Sequence, residues 1–386
     1  MEKLEKISPS LKPILETRDV GKPAIDTFPP RHYLSPQMLL LPTHGIDFTE
    51  RFKILGRHLY AFLRHLTLKK LANFFLAEYS LLRHKTRLKS FPYLLKIEPS
   101  NICNLHCAYC YDGRRQPREG ERPFGRMSFE NFKNLVDEVG AYLFKINLYG
   151  FGEPFLFPET LDMIRYASRH NIGVATSSNM NFRNPDLPRQ IVESGLEVLI
   201  FSFHGLSKET YGKFMGNGDP DLALANIRKV VEERARVKSR TPLIDWQFCV
   251  TGFNQHEIAA ARIKAREIGV DQIRFIKPWF PEAVAEEEWF SDQFPKQAAD
   301  WRKIEAAADC IWPYRAAFIN FDGGLIPCCR DTRLLANDFG NVFEQGFMPI
   351  WNNEKYQAAR RLLACPQDKS ARLNTICSRC PLTRPK

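Results

Sequence analysis

The chain has 386 residues, 44% of them hydrophobic, and its 55 lysines and arginines exceed its 44 aspartates and glutamates for a formal net charge of +11. That length favours more than one domain, and the hydrophobic fraction is ample for a buried core. No apolar run reaches the ~18 residues of a membrane span, Met1 to Ser10 is charged without a signal-peptide core, and ten cysteines are too sparse for a disulfide scaffold, so a cytoplasmic chain with reduced thiols is expected.

Residues 1 to 48 are proline-rich, with Pro9, Pro13, Pro23, Pro29, Pro30, Pro36 and Pro42 opposing long helices, and read as an arm. From Thr49 to Leu82 the spacing turns helical: Phe52, Leu55, Leu59, Phe62 and Leu66, then Leu68, Leu71, Phe75, Tyr79 and Leu82, define an apolar face. Basic residues fill much of the rest. A basic amphipathic helix either packs on the rest of the fold, the expectation preferred here, or touches a membrane surface or a lipid-like substrate. Positive charge also gathers in Arg83 to Lys89 and in Arg114, Arg115, Arg118 and Arg122. Each group is either a solvated surface or a site for anions such as phosphorylated metabolites, lipid headgroups or nucleic acid.

From residue 93 short β-rich runs alternate with amphipathic helical segments. The candidate strands are Leu94 to Glu98, Lys145 to Tyr149, Gly173 to Thr176, Val198 to Phe203, Ile244 to Val250 and Gln272 to Ile276. Between them Phe132, Leu135, Val136, Val139 and Leu143 share a helical face, as do Ile258, Ala261, Ala265 and Ile268, while Gly195 and Gly269 sit where helix C-caps favour glycine. Six βα repeats predict an α/β fold whose parallel sheet is closed or partly closed into a (β/α)6 barrel, with function at the C-terminal ends of the strands. Directly after the first strand comes Cys103-Asn104-Leu105-His106-Cys107-Ala108-Tyr109-Cys110. Three soft ligands on one loop suit an iron-sulfur cluster with a spare iron position, whereas structural zinc takes four ligands, usually in two separated pairs.

This C-x3-C-x2-C motif, with an aromatic, Tyr109, before its last cysteine, resembles the signature of the radical SAM enzymes. The resemblance implies that Cys103, Cys107 and Cys110 hold a 4Fe-4S cluster and that S-adenosylmethionine (SAM) chelates its fourth iron. After the second strand, Gly150-Phe151-Gly152-Glu153-Pro154 resembles the family's GGEP motif, with Phe151 at the motif's first glycine. Gly150, Gly152, Glu153 and Pro154 are therefore expected at the SAM methionine end; read alone, Gly-Glu-Pro is also an ordinary turn. Ser177, Ser178 and Asn179 after the third strand, and Ser202 near the end of the fourth, offer small hydrogen-bonding groups for a ribose or carboxylate, although the same residues serve in turns and helix caps. On the next strand Cys249 shares a face with Gln247. It reads first as an inert buried thiol and second as a catalytic hydrogen-atom donor.

Beyond residue 300, Cys310, Cys328 and the closing Cys377-Ser378-Arg379-Cys380 accompany a hairpin signature around Asp322-Gly323-Gly324. With Gly340-Asn341-Val342-Phe343 and Ile350-Trp351, the pattern resembles the SPASM/twitch extension of radical SAM enzymes. The resemblance implies that Cys310, Cys328, Cys377 and Cys380 hold one auxiliary 4Fe-4S cluster. A tetrahedral zinc site is the competing reading. Cys329 neighbours a proposed ligand and is a possible substitute for it, and Cys365 is read as incidental.

The expected organisation is an N-terminal arm with basic amphipathic helices (1–90), a radical SAM partial barrel (91–300) and a small α+β SPASM/twitch-like domain (301–386). The resemblance implies reductive cleavage of SAM to a 5'-deoxyadenosyl radical that abstracts hydrogen from a small-molecule substrate, a sugar, cyclitol, nucleoside or lipid precursor, to oxidise or rearrange it. A reductant such as flavodoxin or ferredoxin is implied. A maturase of a ribosomally made peptide is the alternative, and a non-catalytic nucleic-acid-binding protein is remote.

Overall fold

The computed structural model describes residues 62–108, 110, 116–276, 289–292, 310–380 and 383. The proline-rich arm, the helical stretch with Phe52, Leu55 and Leu59, and Tyr109, Arg114 and Arg115 lie outside the described residues. The strands are β1 (Leu94–Ile97), β2 (Lys145–Leu148), β3 (Gly173–Ser178), β4 (Val198–Ser202), β5 (Leu243–Cys249), β6 (Gln272–Ile276), β7 (Ala316–Ile319), β8 (Gly324–Ile326) and β9 (Gly340–Asn341). The principal helices are α1 (Leu68–Leu82), α2 (Phe129–Val139), α3 (Glu159–Arg169), α4 (Leu187–Glu193), α5 (Lys208–Met215), α6 (Pro220–Arg236), α7 (Ile258–Ile268) and α8 (Glu354–Ala364). Their ends carry the expected chemistry: the side chains of Ser128 and Ser207 accept the N–H groups of Asn131 and Thr210, and Gly269 closes α7 at φ +86°.

Among the described residues all nine strands form one sheet in the order β6-β5-β4-β3-β2-β1-β7-β8-β9. Strands β1 to β6 run parallel, as the βα repeats require, and the linear order makes this a partial barrel whose end strands do not meet. The hairpin read from Asp322-Gly323-Gly324 is present as β7 and β8, with Phe318 opposite Ile326. Its placement was not legible: β7 adds in parallel to the free edge of β1, Leu94 beside Ala316, so the sheet continues into the C-terminal segment.

The two faces of the sheet differ. Ile146, Leu148, Thr176, Leu199, Phe201, Trp246 and Phe248 are buried against the helices, whereas the alternate residues Lys145, Tyr149, Ser177, Ile200, Ser202, Gln247 and Arg274 keep accessible surface. Alternation along a strand places these two sets on opposite faces. The inward side of the partial barrel is therefore a polar chamber, and the apolar core lies outside it, between sheet and helices.

The stretch ahead of β1 closes the N-terminal end of the chamber. His65 Nε2 lies 2.6 Å from Glu197 Oε1, and the ammonium of Lys70 donates to the carbonyl of Asn171 at 2.5 Å. Here the predicted apolar face needs correction. Helix α1 does pack on the fold, but through Lys70, Asn73, Ala77 and Ser80, while Leu68, Phe75 and Leu82 are 87%, 61% and 76% exposed. The side chain of Asn73 bonds the backbone of Phe91 in both directions, so polar anchors fix this helix where periodicity alone predicts an apolar seam.

Arg122 is a second correction. It is not part of a solvated basic surface: its side chain is buried, its guanidinium ion-pairs with Asp322 and with Asp338 at 2.6 Å, and its Nε donates to the carbonyl of Thr332. Arg83, His84, Lys85, Arg87 and Lys89, by contrast, are exposed as a solvated run should be.

Candidate active site

The cysteine loop begins where β1 ends. Glu98 is buried at this strand end, and its Oε1 accepts the N–H of Phe151 at 2.7 Å, fastening the Gly150 to Pro154 loop above β2. A Cβ at Gly150 would stand 2.1 Å from Glu98 Oε1, and one at Gly152 would stand 2.2 Å from the carbonyl oxygen of Ser100 and 2.8 Å from that of Ile102. Neither position has room for a side chain, and at Gly152 the obstacle is backbone. Glu153 completes the junction, its N–H donating to the carbonyl of Ile102 at 2.9 Å.

The third strand end braces the same loop. Oε2 of Glu153 accepts the N–H of Asn179 at 2.8 Å, Asn179 Nδ2 donates to Asn104 Oδ1 at 2.9 Å, and Asn104 Nδ2 donates to the carbonyl of Asn181. Burial pushes the Glu153 carboxyl up to about 7, against these hydrogen bonds from Asn179, Ser178 and Phe155. On the far side the N–H of Ala108 donates to the carbonyl of Phe214, and that of His106 to Asn217 Oδ1.

Cys103, Cys107 and Cys110 are all half-buried on this loop. Cys103 Sγ lies 3.9 Å from Asn179 Nδ2, Cys107 Sγ 3.9 Å from Met215 Sδ, and Cys110 Sγ 4.0 Å from the carbonyl oxygen of Phe151. Burial first, then the nearby Glu153 carboxylate, pushes the Cys103 thiol up to about 12. A thiolate here needs a compensating positive charge, which iron supplies, so the donor set fits a metal cluster.

The remaining expected residues divide into two groups. Ser177 and Ser202 meet across β3 and β4 with their hydroxyl oxygens 2.9 Å apart, on the chamber face. Ser178 is buried and accepts the N–H of Met180, and Asn179 spends its side chain on Asn104 and Asn181, so both act within the loop framework. Pro154 opens a short helical turn over Pro154–Leu156. Cys249 sits on the inward face of β5 at 8% exposure; burial pushes its thiol up to about 12, opposed by Arg274. Sequence reading missed Glu98, Asn104, Asn181, Lys145 and Arg274. The signal available for the last two was a charged residue at an inward position of a predicted strand.

The C-terminal cysteines draw together from distant parts of the chain. Cys328 lies within electrostatic reach of Cys310 and Cys380, and Cys377 within reach of Cys328, Cys310 and Cys380; burial, reinforced by this mutual repulsion, pushes both thiols well up. Among the described residues no three His, Cys, Asp or Glu side chains converge as ligands of one ion would, and thiols that each hold a different iron stand farther apart than that. Cys365 is exposed, and Cys329 lies within electrostatic reach of both Cys328 and Lys96.

A loop of thiols at the C-terminal mouth of a parallel partial barrel, braced by a Gly-Glu-Pro loop, defines a class of cofactor-dependent radical enzyme. The sequence profile of the radical SAM superfamily matches residues 97–246, and that of the SPASM iron-sulfur cluster-binding domain matches residues 310–381, together more than half of the chain. The chain belongs to the radical SAM superfamily, carries a C-terminal SPASM domain, and is an enzyme with SAM and iron-sulfur clusters as cofactors. It is 23% identical over 294 residues to the tungsten-containing aldehyde ferredoxin oxidoreductase cofactor-modifying protein of Pyrococcus furiosus, covering 68% of this chain and 81% of the relative. It is 26% identical over 140 residues to the mycofactocin maturase MftC of Mycobacterium tuberculosis, covering 36% of this chain and 34% of MftC. In fold it is similar to Streptococcus suis SuiB bound to SAM, with TM-score 0.55 and 14% identity over 87% of this chain and 78% of that one. AdoMet-bound anSMEcpe gives 0.52 and 17% over 76% and 88%.

Proposed function

We propose that the chain removes a hydrogen atom from a small-molecule substrate held in the barrel chamber, with Cys103, Cys107 and Cys110 as ligands of the SAM-binding cluster and Cys310, Cys328, Cys377 and Cys380 as ligands of the second. When bound, the first cluster supplies the electron that cleaves SAM. The backbone of Gly150, Gly152 and Glu153 brackets the methionine end, and Ser177 and Ser202 offer hydroxyls to the remainder of SAM. The observation that carries the reading is the placement of the cysteine loop at the C-terminal ends of strands whose inward face presents Lys145, Tyr149, Ser177, Gln247 and Arg274, a setting suited to withholding a radical from bulk water. The match to a cofactor-modifying relative along most of both chains supports a small-molecule substrate. The shorter match to MftC favours a peptide as the second reading. The reading takes a cytoplasmic, reducing setting and an external reductant of flavodoxin or ferredoxin type.

The test is anaerobic reconstitution followed by reduction with dithionite. We expect 5'-deoxyadenosine from the parent protein and none after alanine replacement of Cys103, Cys107 and Cys110. Fewer than about four irons per chain in the parent, with no SAM cleavage, would overturn the reading. Deuterated metabolite extracts and deuterated peptides then separate the two substrate classes, by which of them delivers deuterium into 5'-deoxyadenosine.

A further inference from the structure

The floor of the chamber gathers several charged side chains. Lys96, Lys145 and Arg274 are on the inward faces of β1, β2 and β6. Asp245 faces them from β5: Arg274 Nε is 2.8 Å from each of its carboxylate oxygens, and Nη2 is 2.7 Å from Oδ2 and 3.3 Å from Gln247 Oε1. Burial lowers the Arg274 pKa, but Asp245 more than offsets it, and the guanidinium stays charged. Glu197 also stands at the floor, shared with His65 at 2.6 Å and Arg64 at 3.6 Å.

Lys145 differs from its neighbours. Its ammonium makes no hydrogen bond to any described residue, and burial pushes it below the ordinary lysine value against the pull of Glu197 and Asp245, with Arg274 adding to the lowering. A buried ammonium without a hydrogen-bond acceptor is costly. Yet Lys145 keeps accessible surface on the inward face of β2, so a ligand inside the barrel can reach it. If it served only to balance charge, direct pairing with Asp245 or Glu197 would be the cheaper arrangement, and the partners of those carboxylates are Arg274, His65 and Arg64.

We infer that Lys145 and Arg274 form a binding site at the chamber floor for an anionic group, carboxylate or phosphate, of the substrate. This inference rests on the small-molecule reading above and gives it a chemical class. Carboxylate and phosphate oxygens accept from ammonium and guanidinium donors in charge-assisted bonds, which strengthen where water is excluded.

The test uses the full chain, cluster-reconstituted and SAM-loaded, and reads the midpoint of thermal unfolding with inorganic phosphate, glutarate or uncharged glutaramide at matched ionic strength. We expect phosphate or glutarate to stabilise and glutaramide not to, and the comparison of the two anions tells phosphate from carboxylate. Because the whole chain is basic, the decisive comparison is with Lys145→Met. The anion response should weaken about thirtyfold or more in apparent affinity, as for loss of one partner of an enclosed charge pair. Lys145→Gln and Arg274→Gln, checked for iron content and circular dichroism, serve if Lys145→Met does not fold. An equal anion response in parent and Lys145→Gln, or no anion response in the parent, overturns the inference. A second arm splits a deuterated metabolite extract on an anion exchanger. Deuterium reaching 5'-deoxyadenosine from the unretained fraction overturns the anionic class. Deuterium from neither fraction, with the Lys145-dependent anion response intact, upholds the anion site and overturns the small-molecule reading alone.

Discussion

The carboxylate of Glu153 accepts the backbone N–H of Asn179 at 2.8 Å, joining the loop after β2 to the loop after β3 directly beside the cysteine loop. The other oxygen accepts the N–H of Phe155 at 3.3 Å. In Glu153→Gln one acceptor becomes an amide donor facing a backbone donor, which costs about 1–3 kcal/mol. We expect the SAM dissociation constant to rise about tenfold or more, with iron content retained. Equilibrium dialysis against labelled SAM measures it, and unchanged affinity would show that this junction does not shape the SAM site.

Gly152→Ala tests the same junction sterically. Its Cβ would lie 2.2 Å from the Ser100 carbonyl oxygen, so either the Gly-Glu-Pro loop or the cysteine loop must move. We expect 5'-deoxyadenosine formation to fall by at least about a hundredfold, since displacements of about 1 Å at a reacting centre are that costly. Gly212→Ala, where an added Cβ meets nothing within 4 Å, is the control and should leave the rate unchanged.

Arg122 connects the segment after the cysteine loop to Asp322 and Asp338 around the C-terminal hairpin. Removing one partner of a buried ion pair leaves unpaired charge, so Arg122→Ala should cost about 3–5 kcal/mol. Denaturant unfolding checks this, and a loss below about 1 kcal/mol would mean that the pair is solvated in solution.

These two sites show how far the sequence carries. The six parallel strands, the hairpin and the cysteine loop after the first strand were legible because hydrophobic period, turn residues and thiol spacing are local signals. The function of Arg122 was not, because its partners lie two hundred and more residues away; nor was the outward face of α1, because Lys70 and Asn73 find their acceptors on Asn171 and Phe91. The same limit hid Glu98 and Asn104, which act through backbone and side-chain groups of other loops.

His204 gives the chain an acid-labile point. Burial pushes its pKa down to about 4 from 6.5, and its Nδ1 accepts the N–H of Cys249 at 3.2 Å, so it is neutral when folded. Between pH 6.5 and 4 the unfolded chain binds a proton that the folded chain does not, so stability falls on acidification through that window and is retained above it. The loss approaches roughly 3 kcal/mol by pH 4. Comparing parent with His204→Asn across this range isolates the contribution; parallel curves would show that His204 protonates freely in the folded state.

The exposed Leu68, Phe75 and Leu82 on α1, next to the basic run from Arg83 to Lys89, allow a direct test of contact with an anionic membrane surface. Sedimentation with phosphatidylserine-containing vesicles should retain the parent protein and lose most of the triple variant Leu68→Ser, Phe75→Ser, Leu82→Ser, whose stability should change by less than about 1 kcal/mol because these side chains are already solvated. Equal retention of both proteins would remove the membrane from the account.

Arg360 on α8 is fully buried and has no carboxylate partner among the described residues. Its Nε donates to the carbonyl of Pro313 and Nη1 to that of Thr86, and the guanidinium lies 4.7 Å from the Trp351 ring centroid and 5.2 Å from that of Tyr356. Burial lowers its pKa to about 10, so it remains a cation at neutral pH. Tyr356 is within electrostatic reach of Arg360, Cys377 and Cys328 alike, so this cation and the C-terminal thiols share one neighbour. A thiolate-held cluster becomes more negative on reduction, and a fixed positive charge in a poorly solvated shell favours that state. Arg360→Met should therefore lower the reduction potential of the second cluster while keeping its iron, at a stability cost of about 1–3 kcal/mol for the two carbonyls left without donors. Arg360→Lys, which keeps the charge, should recover most of the potential. A redox titration followed by electron paramagnetic resonance reads both, and an unchanged potential at equal iron content would assign Arg360 to packing alone.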